Sequence, residues 1–539
     1  MTGAHPPGYP LRVISAQASA ASGARTGRAG DSGGFRTRWA LLISVAGGLA
    51  LYASFPPVGV WPLAVLGPAL LVLALTGRSL RGSFGCALAF GLAQFVPLLS
   101  WLINEAWYAW AALAGSEAVI FALLAIGQRL LLRLPYWPVA VAGWWVLVEG
   151  VRDRWPYAFP WGRLAMSQSV APDVRWVAFG GAPLLSFLIA LTGAMLAGAV
   201  LAWLGPEGRG RWAASAAAVV TAGLVLAGGL LPADPTGGAP TAQVAAIQGN
   251  VPRARNLPQQ LSATQVTQNH VDATLKLAAQ VKAGQRPAPD LVIWPENATD
   301  LDPFQNPSVY AQLATAVAAI GKPILVGEVL NDPRRNVGQL WVPGRGPTTA
   351  YVKRQLVPFG EYIPFRGIIS SFSDLPALQP IDFTAGRRPV VFGVGKIRLG
   401  DVICYEVAFD HLVRSEVTAG ANLLAVQSND ADFEIDGQLG ETKQQTAMAR
   451  IRAVESDRAV VYASTTGEST IIAPDGSLIA HSGVWQQAIL DARVPLVSHR
   501  TLATRVGAWP EYVIIMLTVL ALACAVVRAL RPRRDESTG

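Results

Sequence analysis

Charge is what this chain has least of. Asp, Glu, Lys and Arg make up 14% of its 539 residues, against about 25% in a typical soluble protein. Hydrophobic residues reach 52%, and the mean hydropathy is +0.36. So few charges could not cover a soluble surface of this size, and a disordered chain would need the opposite balance. Cysteine is nearly absent too: Cys86, Cys404 and Cys524 are all there is. That excludes a disulfide-rich scaffold. With no CxxC, HExxH or Cys/His cluster, no metal site is expected. Lysine is confined to six positions, all between residues 276 and 443. What remains is a membrane protein carrying a soluble part. The pI of 9.6 does not point to nucleic acid, because the Arg residues sit in ones and twos beside apolar runs. That pattern suits anionic lipid head groups and membrane topology.

Eight apolar stretches have near the roughly 20 residues that span a bilayer. Seven follow one another at 39–55, 60–77, 83–103, 106–127, 136–152, 178–203 and 212–231; the eighth covers 509–528. Trp61, Trp101, Trp107, Tyr108, Tyr136 and Trp137 lie near their ends, as an interfacial aromatic belt would. Counting Arg in the connections puts fourteen on one side and four, all within 152–177, on the other. The positive-inside rule then places both termini in the cytoplasm and residues 232–507 outside it. Residues 1–38, rich in Gly, Ala, Ser, Pro and Arg, are expected to be a disordered cytoplasmic arm, and 529–539 a cytoplasmic tail. Cys86 and Cys524, inside apolar runs, read as small buried hydrophobes.

The segment 232–507 has a different texture. Short apolar runs such as Val244–Ile247, Leu291–Trp294, Pro323–Val326, Val402–Ile403 and Leu423–Val426 alternate with helical patterns at 258–283, 307–320 and 438–456. This is an α/β domain whose continuous apolar strands are buried on both faces. There is no G-x-S-x-G elbow, and Gly393-Val394-Gly395-Lys396 lacks the spacing of a P-loop. Three places do put a reactive group at the end of a strand-like run, where sites assemble in α/β folds. They are Glu296 after Leu291–Trp294, Lys353 in Tyr351-Val352-Lys353, and Cys404 in Asp401-Val402-Ile403-Cys404. The three suffice for acyl transfer through a thioester, with no cofactor. A carboxylate takes the thiol proton, the thiolate attacks, and an ammonium with the backbone N–H of Tyr405 stabilises the oxyanion.

The strings WPEN (294–297), YVKRQLVPFGEYIP (351–364) and GDVICYE (400–406) resemble the Glu-Lys-Cys segments of the nitrilase superfamily. Set between seven apolar stretches and a final one, they resemble the apolipoprotein N-acyltransferase family over about 39–528. Further matches are Ala246–Asn250, Phe159-Pro160-Trp161, Ser428-Asn429-Asp430 and Ala449–Glu455. The resemblance implies eight transmembrane helices carrying an α-β-β-α sandwich in a bacterial cytoplasmic (inner) membrane. It implies Glu296 as general base, Lys353 as oxyanion stabiliser and Cys404 as acylated nucleophile. Glu361, Glu406 and Tyr405 would support them, the two acids by orienting Lys353 and the substrate amine. The implied partners are a glycerophospholipid acyl donor, typically phosphatidylethanolamine, and a diacylated apolipoprotein acceptor. The sequence departs from the family pattern at 253–257 and 431–433, which bears on the acyl donor and not on the triad. The apolar loop 362–381 is a candidate lid.

Two other readings stand beside this one. A membrane-anchored amidase would use the same triad with water as acceptor, leaving most of the helices without a purpose. A transporter without chemistry would need intramembrane ionisable residues along its path; Glu117 and Glu149 are nearly the only candidates, and both are expected near helix ends.

Overall fold

The computed structural model describes residues 32–205, 210–231, 237–252, 259–371, 379–431, 433 and 439–530. The expected arm, most of the tail, and the departures at 253–257 and Asp432 lie wholly or largely outside them.

All eight apolar stretches are helical: α1 (Ser32–Ser54), α2 (Leu63–Leu75), α3 (Leu80–Leu98), α4 (Trp107–Leu131), α5 (Trp137–Arg152), α6 (Val177–Leu204), α7 (Arg211–Leu226) and, at the far end, a helix at Trp509–Leu530. Among the described residues four helical segments are long and apolar enough to cross a membrane: Trp107–Leu131, Pro172–Leu204, Arg211–Leu230 and Trp509–Leu530. Four of the eight expected spans meet that measure. Of the rest, α2 has only 13 residues and α5 only 16, about 20 and 24 Å at 1.5 Å per residue. Helix α6 is broken at Gly180 and Gly181, just before Pro183. Gly181 has φ +72°, and a Cβ there would lie 2.9 Å from Glu455 Oε1, so glycine is required. Two expectations are corrected here. Cys524 is exposed on its helix while Cys86 is buried. Glu117 sits in the middle of α4, not at its end, where it is buried and paired with Arg152.

The remaining chain folds as two six-stranded sheets. The first holds β1 (Thr241–Gln248), β2 (Leu291–Ile293), β3 (Ile324–Asn331), β4 (Arg334–Val342), β5 (Gly346–Val352) and the last strand, Ala488–Pro495, which pairs antiparallel with β1. The second holds β6 (Val391–Val394), β7 (Ile397–Ile403), β8 (Leu423–Ser428), β9 (Val460–Ser464), β10 (Thr470–Ile472) and β11 (Leu478–His481). Strands β1, β2 and β3 are parallel, as are β7, β8 and β9. Side-chain alternation explains the layering. Ala242, Val244 and Ala246 of β1 join Leu399, Ile403, Leu423 and Ala425 between the sheets. Ala245 and Ile247 face the other way, onto α8 (Gln259–Lys282) and α9 (Pro307–Ile320). On the second sheet, Val402, Leu424 and Val426 turn outward onto α11 (Asp410–Thr418) and α12 (Gly440–Ser456); the short α10 (Arg366–Ile369) precedes both in the chain. This is an α-β-β-α sandwich.

The second outer layer does not end in solvent. Met448, Ile451 and Val454 of α12 belong to the same buried core as Phe90, Trp145, Leu185 and Ile189 of the apolar helices. Each such side chain contributes about 1.5–3 kcal/mol when fully buried. A cluster of ions crosses the same junction. Arg163, from the loop after α5, makes a bidentate pair with Asp410 (2.9 and 3.0 Å). Arg452 holds Asp410 (2.6 Å) and Glu455 (2.6 Å). The short helix α13 (Leu502–Val506) and the long α14 (Trp509–Leu530) then return the chain to the helical bundle.

Candidate active site

Three strand ends meet at one edge of the sandwich. β2 ends at Ile293 and leads to Glu296, β5 ends at Val352 just before Lys353, and β7 ends at Ile403 just before Cys404. Glu296 can sit low against β3 because Gly327 leaves room; a Cβ at that position would lie 2.2 Å from the Pro295 carbonyl oxygen. Lys353 is 1% exposed. Its Nζ donates to Glu296 Oε1 (2.9 Å) and Glu361 Oε1 (3.0 Å). Burial alone would push the Lys353 pKa down, but the two carboxylates reverse this and hold it well above its ordinary value. The ammonium is therefore permanent at neutral pH. Asn336 on β4 donates to the same two oxygens, at 2.6 Å to Glu296 and 3.0 Å to Glu361. The second oxygen of Glu296 accepts from the backbone N–H of Asn429 (3.0 Å).

Cys404 adopts φ +52°, a left-handed conformation that costs a non-glycine residue roughly 1 kcal/mol or more. The chain accepts this strain at the turn from β7 into a one-turn 3-10 helix, Cys404–Ala408. Gln445 Nε2 of α12 lies 3.5 Å from the sulfur. Burial pushes the thiol pKa well up, Glu296 pushes it further, and Lys353 acts in the opposite direction. The resting group is thus a thiol. Of the carboxylates whose charge acts on it, Glu296 acts most strongly.

The supporting residues divide. Glu361 lies against Lys353, and its Oε2 also accepts from Val357 N–H (2.8 Å). Glu406 does not face Lys353 or an open cavity. Its carboxylate accepts from the N–H groups of Ile403 (2.7 Å), Arg354 (2.7 Å) and Gln355 (3.0 Å) and from Tyr351 OH (2.8 Å). It ties the end of β5 to the nucleophile turn, so a role in orienting an incoming amine does not fit. Tyr405 turns its ring toward the helical half. It stacks on Trp161 (centroids 6.0 Å apart, planes at 12°) and donates to the Ala158 carbonyl (2.6 Å). Trp161 in turn donates to Gln444 (2.6 Å), so the Phe159-Pro160-Trp161 segment touches both the residue after the nucleophile and the helix beside it. In the candidate lid, Phe365, Ile368 and Ile381 are exposed; residues 372–378 lie outside the described chain.

Asn336, Gln444 and Gln445 escaped the sequence reading. Asn336 stands in no motif. The two glutamines had a signal that was not used: α12 buries Glu441, Thr442, Gln444 and Gln445 on consecutive turns, and a helix buries that many polar groups only where they are partnered.

A sandwich of this layering, with a carboxylate, an ammonium and a thiol at its strand ends, defines a carbon–nitrogen hydrolase domain. The carbon-nitrogen hydrolase family model matches residues 243–504, and the model of the apolipoprotein N-acyltransferase N-terminal domain matches 47–195. Apolipoprotein N-acyltransferase of Mycolicibacterium smegmatis is 38% identical, covering 90% of this chain and 85% of its own length. The enzyme of that name from Azotobacter vinelandii is 31% identical, over 90% and 95%. A solved double mutant of the amidase from Nesterenkonia sp. AN1, in complex with acrylamide, is 18% identical with a TM-score of 0.36, covering 49% of this chain and 94% of its own. The chain belongs to the apolipoprotein N-acyltransferase family.

Proposed function

We propose that this protein transfers an acyl chain from a membrane glycerophospholipid to the α-amino group of the N-terminal diacylglyceryl-cysteine of apolipoproteins. The observation that carries the reading is Lys353 clamped between Glu296 and Glu361 beside the strained Cys404, in a chain whose other half is apolar helices. In the first step Glu296 takes the Cys404 proton and the sulfur attacks the ester carbonyl. Lys353 and the Tyr405 N–H stabilise the oxyanion. The C–O bond breaks, and Glu296 returns the proton to the departing lysophospholipid. In the second step the lipoprotein amine attacks the thioester, Glu296 takes its proton, the C–S bond breaks and the thiol is restored. Phosphatidylethanolamine is the proposed donor. The proposed topology has eight spans, with 39–231 and 508–528 in a bacterial inner membrane, 232–507 on its outer side, and both termini in the cytoplasm. Both substrates are held in the bilayer by their chains, at about 0.8 kcal/mol per buried CH₂, so an enzyme at the interface avoids extracting them.

Incubation with acyl-labelled phospholipid should leave a hydroxylamine-sensitive adduct on the protein. Adding a diacylated lipopeptide should then move the label to its amino terminus, read by mass spectrometry. An intact enzyme that never acquires the adduct would overturn the reading.

A further inference from the structure

Acyl transfer through a thioester puts negative charge on sulfur as well as on oxygen. Cys404 must become a thiolate to attack, and its sulfur takes the C–S electron pair again when the thioester breaks. In the reaction proposed above, Lys353 and the Tyr405 N–H serve the oxygen. The sulfur has a donor of its own. Nε2 of Gln445, on α12, lies 3.5 Å from it, a hydrogen-bond distance for so large an acceptor.

The Gln445 amide is buried and held in one orientation at both its ends. Nε2 carries two hydrogens; one faces the sulfur and the other goes to Glu441 Oε1. At the opposite end, Ser428 Oγ (3.1 Å) and Tyr462 OH (3.3 Å) donate toward the amide oxygen. Turning the amide over would set its carbonyl oxygen against the Glu441 carboxylate, so the N–H stays toward the thiol. Ser428 also favours an anionic sulfur, but its single proton is already shared between Asp430 Oδ1 and that amide oxygen. The preceding residue fixes the helix itself. Gln444 donates to the carbonyls of Pro56 and Leu98, both at 3.1 Å, and accepts from Trp161 (2.6 Å). One glutamine therefore anchors α12 to the helical half while the next meets the nucleophile.

An N–H given to a neutral thiol is a weak contact; given to a thiolate it is charge-assisted and roughly twice as strong. The contact strengthens as charge appears, which is the condition for lowering a barrier. The geometry points to Gln445 as a further catalytic residue, one that donates an N–H to the Cys404 sulfur as that atom turns anionic in both half-reactions. In the second, the lipoprotein amine attacks and its proton passes to Glu296. The carbonyl re-forms, the C–S bond breaks and the electron pair stays on sulfur, held by the Gln445 N–H until Glu296 returns the proton. These steps rest on the acyl-transfer reading; the contact with sulfur does not.

The test reads the sulfur before any lipid is added. Alkylation of Cys404 by iodoacetamide is followed against pH on the full-length protein, by mass spectrometry of the Cys404 peptide. Gln445→Met keeps the side-chain length and removes the donor. It should move the alkylation midpoint up by about one pH unit, a tenfold loss of thiolate at a given pH that corresponds to 1.4 kcal/mol. Acyl-adduct formation and transfer to a diacylated lipopeptide should each slow about tenfold, with KM for the lipopeptide unchanged. A purely structural role would lower the melting temperature and leave the midpoint where it is. Because Gln445→Met leaves Glu441 without this donor, a second comparison isolates the sulfur contact: Glu441→Gln against Glu441→Gln/Gln445→Leu, between which the same upward displacement is expected. An unmoved midpoint in these comparisons would overturn the proposal, as would slowing confined to one half-reaction. A wild-type protein that alkylates as expected but never acquires an acyl adduct would overturn the acyl-transfer reading instead.

Discussion

Two buried ionic clusters among the described residues invite comparison, and only one of them lies beside a thiol. At the triad, Lys353 faces Glu296 and Glu361 with Cys404 alongside. At the junction of the two halves, Arg163 and Arg452 converge on Asp410. By burial and pKa alone the two look alike: burial would raise the Asp410 pKa, but the two guanidinium groups hold it well below the usual carboxylate range. Two features separate them. The first cluster adjoins a thiol in strained backbone at a strand end; the second has no thiol beside it and satisfies Asp410 with a bidentate guanidinium. A perturbed pKa marks buried ion pairing of either kind, and the reactive neighbour decides which kind it is.

The comparison can be broken at several points. Cys404→Ala should abolish the hydroxylamine-sensitive adduct completely, while Asp410→Asn should leave adduct formation per folded molecule within a few-fold. Lys353→Met and Glu296→Gln should each lower transfer on the order of 10²–10³-fold. Because they act on one proton and one oxyanion, the double variant should be little worse than either; multiplicative losses in steady-state rates would sink the idea of a single unit. Asp410→Asn should instead destabilise the fold by about 3–5 kcal/mol, since it removes the bidentate partner of buried Arg163 and one of the two carboxylates on buried Arg452; thermal unfolding in detergent measures this. The sign of its pH dependence follows from the depressed pKa. The stabilisation is fully present above the unfolded value near 4 and is lost as pH falls below it toward the lower folded value. Wild type should therefore lose stability on acidification faster than Asp410→Asn. Tyr405→Phe should show the smallest effect, about 1 kcal/mol for one hydrogen bond to Ala158, with the stack on Trp161 retained.

Much of this was legible in the sequence because it is local. The runs around Val244, Leu291 and Leu423 are strands and the pattern at 438–456 is a helix, since periodicity reports burial directly. The reactive residues stood out because each ends such a run. What stayed hidden is written across long separations. Arg163 and Asp410 are 247 residues apart, and no local pattern announces their pairing. Asn336 sits in a strand beside two arginines and gains its meaning only when β2, β4 and the loop after β5 converge. Glu406 lies in the most telling motif, yet its burial against backbone N–H groups gives it a framework role that adjacency to Cys404 did not suggest. The span count was legible only in part: hydropathy finds all eight apolar helices, but four segments have the length and apolarity of a full crossing, and α2 and α5 are short.

The shared core beneath α12 also bears on how the chain is made. Seven apolar helices leave the ribosome before the first strand does, and domains fold in that order during synthesis. The sandwich therefore assembles onto a seat that already exists, with Trp161 and Arg163 in place to meet Gln444 and Asp410. α14, synthesised last, packs against α5 and α6 and closes the chain like a latch. A catalytic half expressed without that seat would carry Met448, Ile451 and Val454 as a bare apolar wall, and should be recovered as aggregate instead of as a small soluble enzyme.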